Sequence, residues 1–162
     1  ASATAESRVN VSPREISALR ITGDNTVIYI DRTGSGNETA AHMLADGRLT
    51  IMFCAFSGPP RILRLFGVGT SFGWDSPQFE ALIAQHYQGT EPLGTRQIMQ
   101  LEFDLVQTSC GNGVPLFEHN GERTAIENWH NNLGPEGIRT YWKEKNLHSI
   151  DGLPTGLNIV KE

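Results

Sequence analysis

The stretch TGSGNETAAHM, residues 33–43, places two glycines and the short polar side chains Thr33, Ser35, Asn37 and Thr39 beside a run of small residues. A glycine-rich turn feeding a helix presents free backbone N–H groups and the positive end of the helix dipole, which together suit a phosphate. The same residues serve as an ordinary helix cap, because Asn37 or Thr39 can satisfy the first N–H groups. No Lys follows the second glycine and the spacing is not G-x-G-x-x-G, so neither familiar nucleotide-loop signature is present.

A dianion needs cations besides amides, and Arg61 and Arg64, just after SGPP, are the strongest candidates. Three residues apart, they fall on opposite faces of a regular strand. In QTSCGNGVP (107–115), Gln107, Ser109 and Cys110 stand where a long alternating segment meets a glycine turn, a place where a strand end can border a ligand. Cys110 has no histidine in a recognisable partner arrangement. The 5 histidines form neither a triad order nor HExxH, and His86 falls on an apolar stripe. No residue earns a catalytic label.

These residues need elements to hold them, and the chain reads mostly as strands separated by turns. RVNVS (8–12) alternates, while ALRIT (18–22) and TVIYID (26–31) flank the hairpin connection GDN. RLTIMFCAF (48–56) is nearly continuous in apolar residues, as expected of a strand covered on both faces. Glycines in RILRLFGVGTSF (61–72) predict bulges or curvature. RQIMQLEFDLVQTS (96–109) sets Met99, Leu101, Phe103 and Leu105 on one face and Gln100, Glu102 and Asp104 on the other. Helices are predicted over 37–47, over 75–87 with Ser76 as N-cap and Pro77 in the first turn, near 122–132, and from Pro135 onward. The pattern is mainly β with added helices, a closed or half-closed barrel, in one domain spanning 1–162.

Composition narrows the function classes. A net charge of −5 without a Lys/Arg run argues against nucleic acid, and no apolar run approaches the roughly 18 residues of a membrane span. The 2 cysteines, Cys54 and Cys110, are too few for a disulfide framework and lack zinc-site spacing, so a reducing, cytoplasmic setting is the default. A single bridge between them stays open. The N-terminal ASATAES has neither an initiator Met nor a signal-peptide pattern, and reads as processed, trimmed or recloned.

VNVSP, YIDRTGSGNETAAHM, MFCAFSGPPRILRLFG, VQTSCGNGVP and NLHSIDGLP, taken in order, resemble the pyridoxamine 5′-phosphate oxidase-like family of FMN-binding split barrels, in particular its small members. The resemblance runs from about residue 8 to residue 155. It implies a six-stranded split β-barrel, a homodimer, FMN at the subunit interface and a small-molecule substrate. By position it assigns Asn10 and Ser12 to the flavin ring or ribityl chain, Thr33, Ser35, Asn37 and Thr39 to the phosphate, and Arg61 and Arg64 to the neighbouring strand opening. Gln107 would face the flavin from the partner subunit. The chain also departs from the family. Asn37-Glu38-Thr39 replaces a cationic phosphate grip, Ser12-Pro13-Arg14-Glu15 stands where related chains read SPKG, an aromatic lead-in to the first strand is missing, and SIDGLPTGL lacks the substrate arginine. The expectation is therefore an FMN-dependent oxidoreductase rather than a vitamin B6 oxidase, with a dimeric, non-catalytic flavin or small-ligand binder as the alternative. A secreted recognition protein is a third reading.

Overall fold

The computed structural model describes residues 1–160; residues 161 and 162, which the expected domain includes, lie outside them. Five antiparallel strands form one sheet: β1 (Leu19–Gly23), β2 (Thr26–Arg32), β3 (Arg48–Cys54), β4 (Arg61–Gly73) and β5 (Thr95–Cys110), in the order β1-β2-β5-β4-β3. Three helices join them, α1 (Glu38–Ala45), α2 (Pro77–His86) and α3 (Ala125–Lys145). The sheet has two edges, β1 and β3, and five strands where the expected split barrel has six. The missing strand is RVNVS. It contributes one bridge, Asn10 to Ser2, and Ser2 in turn bridges Leu49 on β3, so the N-terminal segment lies along that edge without extending the ladder.

Two cores form on opposite faces of the sheet, because strand side chains alternate. On one, α1 brings Ala40 and Met43 against Val27, Tyr29, Leu49, Leu65, Met99 and Leu101. On the other, α2 presses Phe79, Ile83 and Tyr87 onto Ile28, Ile30 and Ile98. The cap of α2 is as predicted: Ser76 Oγ accepts from the Phe79 N–H at 3.2 Å. The two late helices meet in α3 at Gly134, whose φ of 64° bends the chain before Pro135.

Two expectations about faces need correction. β3 is an edge strand, and Met52 is 53% exposed, so the apolar run is not covered on both sides. On β5, Leu105 does not share the buried face of Met99 and Leu101. A bulge puts Gly67 opposite Phe103 but Phe66 opposite Leu105, which shifts the alternation. Gly67 makes this possible, since a Cβ there would lie 2.0 Å from the Glu102 carbonyl oxygen. The cysteines are both free. Cys54 sits on β3 and Cys110 on β5 with β4 between them, two inter-strand spacings or about 10 Å apart, beyond the reach of a disulfide.

α3 is tied to the sheet by fully buried His130. Its Nε2 is 3.0 Å from the Thr33 carbonyl and its Nδ1 is 3.2 Å from Arg32 Nη2. Arg32 donates, so Nδ1 must be the unprotonated nitrogen and Nε2–H donates to Thr33. Burial pushes the imidazole below its ordinary pKa; the Thr33 hydrogen bond opposes this and the Arg32 charge reinforces it. A folded-state pKa below the unfolded one gives a contribution complete above about pH 6.5 and lost as pH falls through the folded value. Urea titrations should therefore show stability falling on acidification below about pH 6.5, with a shallower acid slope in His130→Gln. An unchanged slope would remove His130 from the account.

Candidate functional site

The sequence-predicted residues divide into three groups. Asn10, Ser12 and Thr39 come together in a groove of about 170 Å³, whose lining also includes Arg14, Tyr29, Leu19, Leu49, Ile51 and Phe53. The bridge at Asn10 aligns its amide with the start of α1, where Asn10 Nδ2 donates to Thr39 Oγ1 and to Ser12 Oγ, each at 3.1 Å. One wall of the groove is aliphatic and aromatic; the other carries an amide, two hydroxyls, a phenol and a guanidinium. Tyr29 is hydrogen-bonded with Thr39 and Arg14, and the Arg14 guanidinium stands 5.3 Å from its ring centroid. Burial pushes the phenol up to about 12, so at neutral pH it keeps its proton and can donate.

The second group turns inward. Thr33 is fully buried: its Oγ1 donates to the Gly94 carbonyl at 2.6 Å and accepts from Trp142 Nε1 at 2.6 Å. Buried Asn37 accepts from Gln97 Nε2 at 2.6 Å and donates to the Asn146 carbonyl at 3.2 Å, instead of capping α1. α3 causes this, since Trp142 and Asn146 fasten the 33–37 loop down and Asn146 Nδ2 also holds the Gly34 carbonyl at 3.0 Å. Of the four polar side chains expected at a phosphate, Ser35 is exposed, Thr39 reaches the groove, and Thr33 and Asn37 are bound within the fold.

The third group lies on the β4–β5 ribbon. Arg64 faces Gln107 in register and donates to Ser109 Oγ at 3.1 Å, whereas Arg61 faces Cys110 and is exposed. None of Arg61, Arg64 and Gln107 lines the Asn10–Thr39 groove of the same chain. Met52, which does line it, is the register neighbour of Arg64.

Sequence reading missed the charge centre beneath the groove. Asp31, at the end of β2, is 1% exposed. It accepts from Arg14 Nη1, from Arg96 Nη2 at 2.9 Å and from Gln97 Nε2 at 2.7 Å. Burial alone would raise this carboxyl, but Arg96, Arg14 and Gln97 hold it below the usual carboxylate range. Arg96 also donates to the Gly36 carbonyl at 2.9 Å, which fixes the same loop from below. A charged residue ending an otherwise apolar strand was the available signal. Its partners Arg96 and Gln97, 65 and 66 residues away, and Arg14, 17 residues away, left none.

Among the described residues there is no group of His, Cys, Asp and Glu suited to a metal, and no helix is long and apolar enough to cross a membrane. No family model matches the chain. The chain is 36% identical, over 90% of its length, to the pyridoxamine 5′-phosphate oxidase family protein ustO of Aspergillus flavus, and spans 64% of that protein. A crystal structure of HupZ from Group A Streptococcus superposes with a TM-score of 0.43 at 16% identity, covering 55% of this chain and 66% of the other.

Removing one partner from a buried ion cluster leaves an uncompensated charge, which costs about 3–5 kcal/mol. Asp31→Ala should lose stability of that order in urea denaturation. Asn37→Asp, which loses its donation to Asn146 and meets Asp31 across Gln97, should lose about 1–3 kcal/mol, whereas Ser35→Ala should be silent. A fully stable Asn37→Asp would contradict the inward role of this side chain.

Proposed function

The chain belongs to the pyridoxamine 5′-phosphate oxidase family, and on that premise we propose that it is an FMN-binding oxidoreductase-like protein whose flavin ring enters the Asn10–Thr39 groove. The observation that carries this reading is the two-sided character of the groove. Leu19, Leu49, Ile51 and Phe53 offer an apolar wall to a flat heterocycle, and Asn10, Ser12, Thr39, Tyr29 and Arg14 offer hydrogen-bonding groups to its polar edge. Bound flavin would supply reversible hydride and electron transfer. The protein's part is to orient and shield. Tyr29 holds a proton on its oxygen, Arg14 holds positive charge beside it, and the apolar wall excludes water.

A homodimer fits the same reading. Met52, Val68 and Leu105 are 53%, 64% and 56% exposed, and register places them on one face of the sheet with Phe66, Arg64 and Gln107. We propose that a second copy covers this face and that Arg64 and Gln107 thereby approach the partner's flavin, with Ser35 and the backbone of its loop near the phosphate. The family's split barrel, with six strands, is the architecture such a pair would complete. Substrate and acceptor are open within the class of small molecules, and the cytoplasm is the proposed setting.

One observation favours the non-enzymatic alternative. The side chains of Thr33 and Asn37 are already bound within the fold, so fewer groups of the 33–39 loop are left for a phosphate. Titration with FMN separates the readings. Binding that perturbs the visible flavin spectrum, weakened about tenfold (~1.4 kcal/mol) in Asn10→Ala/Ser12→Ala, supports the groove, and reduction of the bound flavin by a reductant followed by reoxidation in air supports the enzyme. A flavin that binds but is not reduced supports the alternative. No spectral change with excess FMN would sink the oxidoreductase and leave of the alternative only a binder of some other small ligand.

A further inference from the structure

Arg32, the last residue of β2, is a buried cation with poorly matched partners. Its side chain is 9% exposed. The nearest carboxylates, Glu15 at 3.7 Å and Glu127 at 3.8 Å, are beyond hydrogen-bond distance from Nη1. The acceptors within reach are neutral: the Leu93 carbonyl at 3.4 Å and His130 Nδ1 at 3.2 Å, both from Nη2. Its Nε has no partner at all. A desolvated guanidinium without a charged, hydrogen-bonded counterion is costly, and natural folds rarely leave one so.

Beside it is a cavity of about 90 Å³ lined by Pro13, Arg14, Glu15, Ala18, Ile30, Arg32 and Ile126. That is room for a few water molecules or one small oxyanion. Two guanidinium groups border it. Arg14 already shares Asp31 with Arg96, and the one carboxylate in the lining, Glu15, is half-exposed and held loosely. We infer that this cavity is a binding site for a small oxyanion, which takes the N–H directions of Arg32 Nη1, the nitrogen without a hydrogen bond that is not sealed inside the fold as Nε is, with Arg14 as a second cation. The free acidic side chains facing it are Glu15 and Glu127, and the remaining charged neighbours are Asp31, Arg96 and neutral His130. Residues Pro13, Arg14 and Glu15 line both this cavity and the groove described above. An oxyanion here is therefore either a free ion or the terminal phosphate of the ligand in the groove; only the second source rests on the flavin reading.

Inorganic phosphate is the probe, titrated against chloride at matched ionic strength and followed by calorimetry and thermal unfolding. Phosphate should bind and raise the melting temperature above the chloride control, Arg32→Gln should lose that effect, and Glu15→Gln should tighten binding several-fold by removing the competing carboxylate. Heat and stabilisation equal to the chloride control would overturn the site, as would an unaltered response in a folded Arg32→Gln. If Arg32→Gln does not fold, Glu15→Gln decides alone, and phosphate affinity unchanged there overturns the site. Phosphate that competes with FMN but not with riboflavin identifies the cofactor's tail as the occupant; phosphate that leaves FMN binding unaltered identifies a free-anion site. Phosphate binding in a protein that ignores all flavins keeps the anion site and removes only the flavin reading.

Discussion

A single carboxylate, that of Asp31, organises the region where the chain's polar chemistry gathers. Buried at the end of β2, it is tolerable only because two guanidinium groups and an amide converge on it. Those partners come from the segment before β1 and from the start of β5, so one charge fixes the relative position of three parts of the chain. Through Arg96 it holds the Gly36 carbonyl, and through Gln97 it holds Asn37. The loop entering α1 is thus pinned from beneath by the sheet and from above by Trp142 of α3 and by Asn146, the residue that caps its C-terminus.

This arrangement explains both the shape and the polarity of the groove. Arg14 reaches across to Asp31, and in doing so lays its guanidinium against Tyr29. Thr39, in the first turn of α1, faces the same space because the pinned loop sets where α1 begins. The polar wall is therefore a by-product of the ion cluster, while the apolar wall is the exposed margin of the first core. A cluster built from long-range partners also makes the site rigid, since Asp31 and Arg96, both almost fully buried, cannot part without leaving a buried charge poorly paired.

Much of the secondary structure was legible in the residues. Five of the six expected strands and the helix signals at Ser76-Pro77 and around Pro135 correspond to observed elements, because alternation, caps and prolines are local. RVNVS failed as a strand despite its alternation: Val9 and Val11 are 68% and 75% exposed, and the segment pairs only at Asn10. Alternation records a compatible pattern, whereas a strand also needs a neighbour along its length. The site was less legible. Asn10, Ser12 and Thr39 meet as a group, but TGSGNET reads the same whether its side chains face a ligand or a helix arriving more than 100 positions later, and it was α3 that took Thr33 and Asn37. Arg14, Arg32 and Asp31 gave no periodic signal, since their roles come from burial and from partners distant in sequence.

The bulge at Gly67 works as a phase shifter. Up to Phe103, β5 keeps one rhythm of inward and outward residues; past it, the rhythm is reversed, so that Leu105 and Gln107 emerge on the side where Glu102 lies, and Val106 follows Leu65. The outward face of β5 beyond Phe103 is thus set by one surplus residue of that strand, while Arg64 and Val68 on β4 keep an unbroken alternation against β3. Evolution could exchange the two sides of β5 beyond Phe103 by a single-codon deletion, leaving β4 as it was.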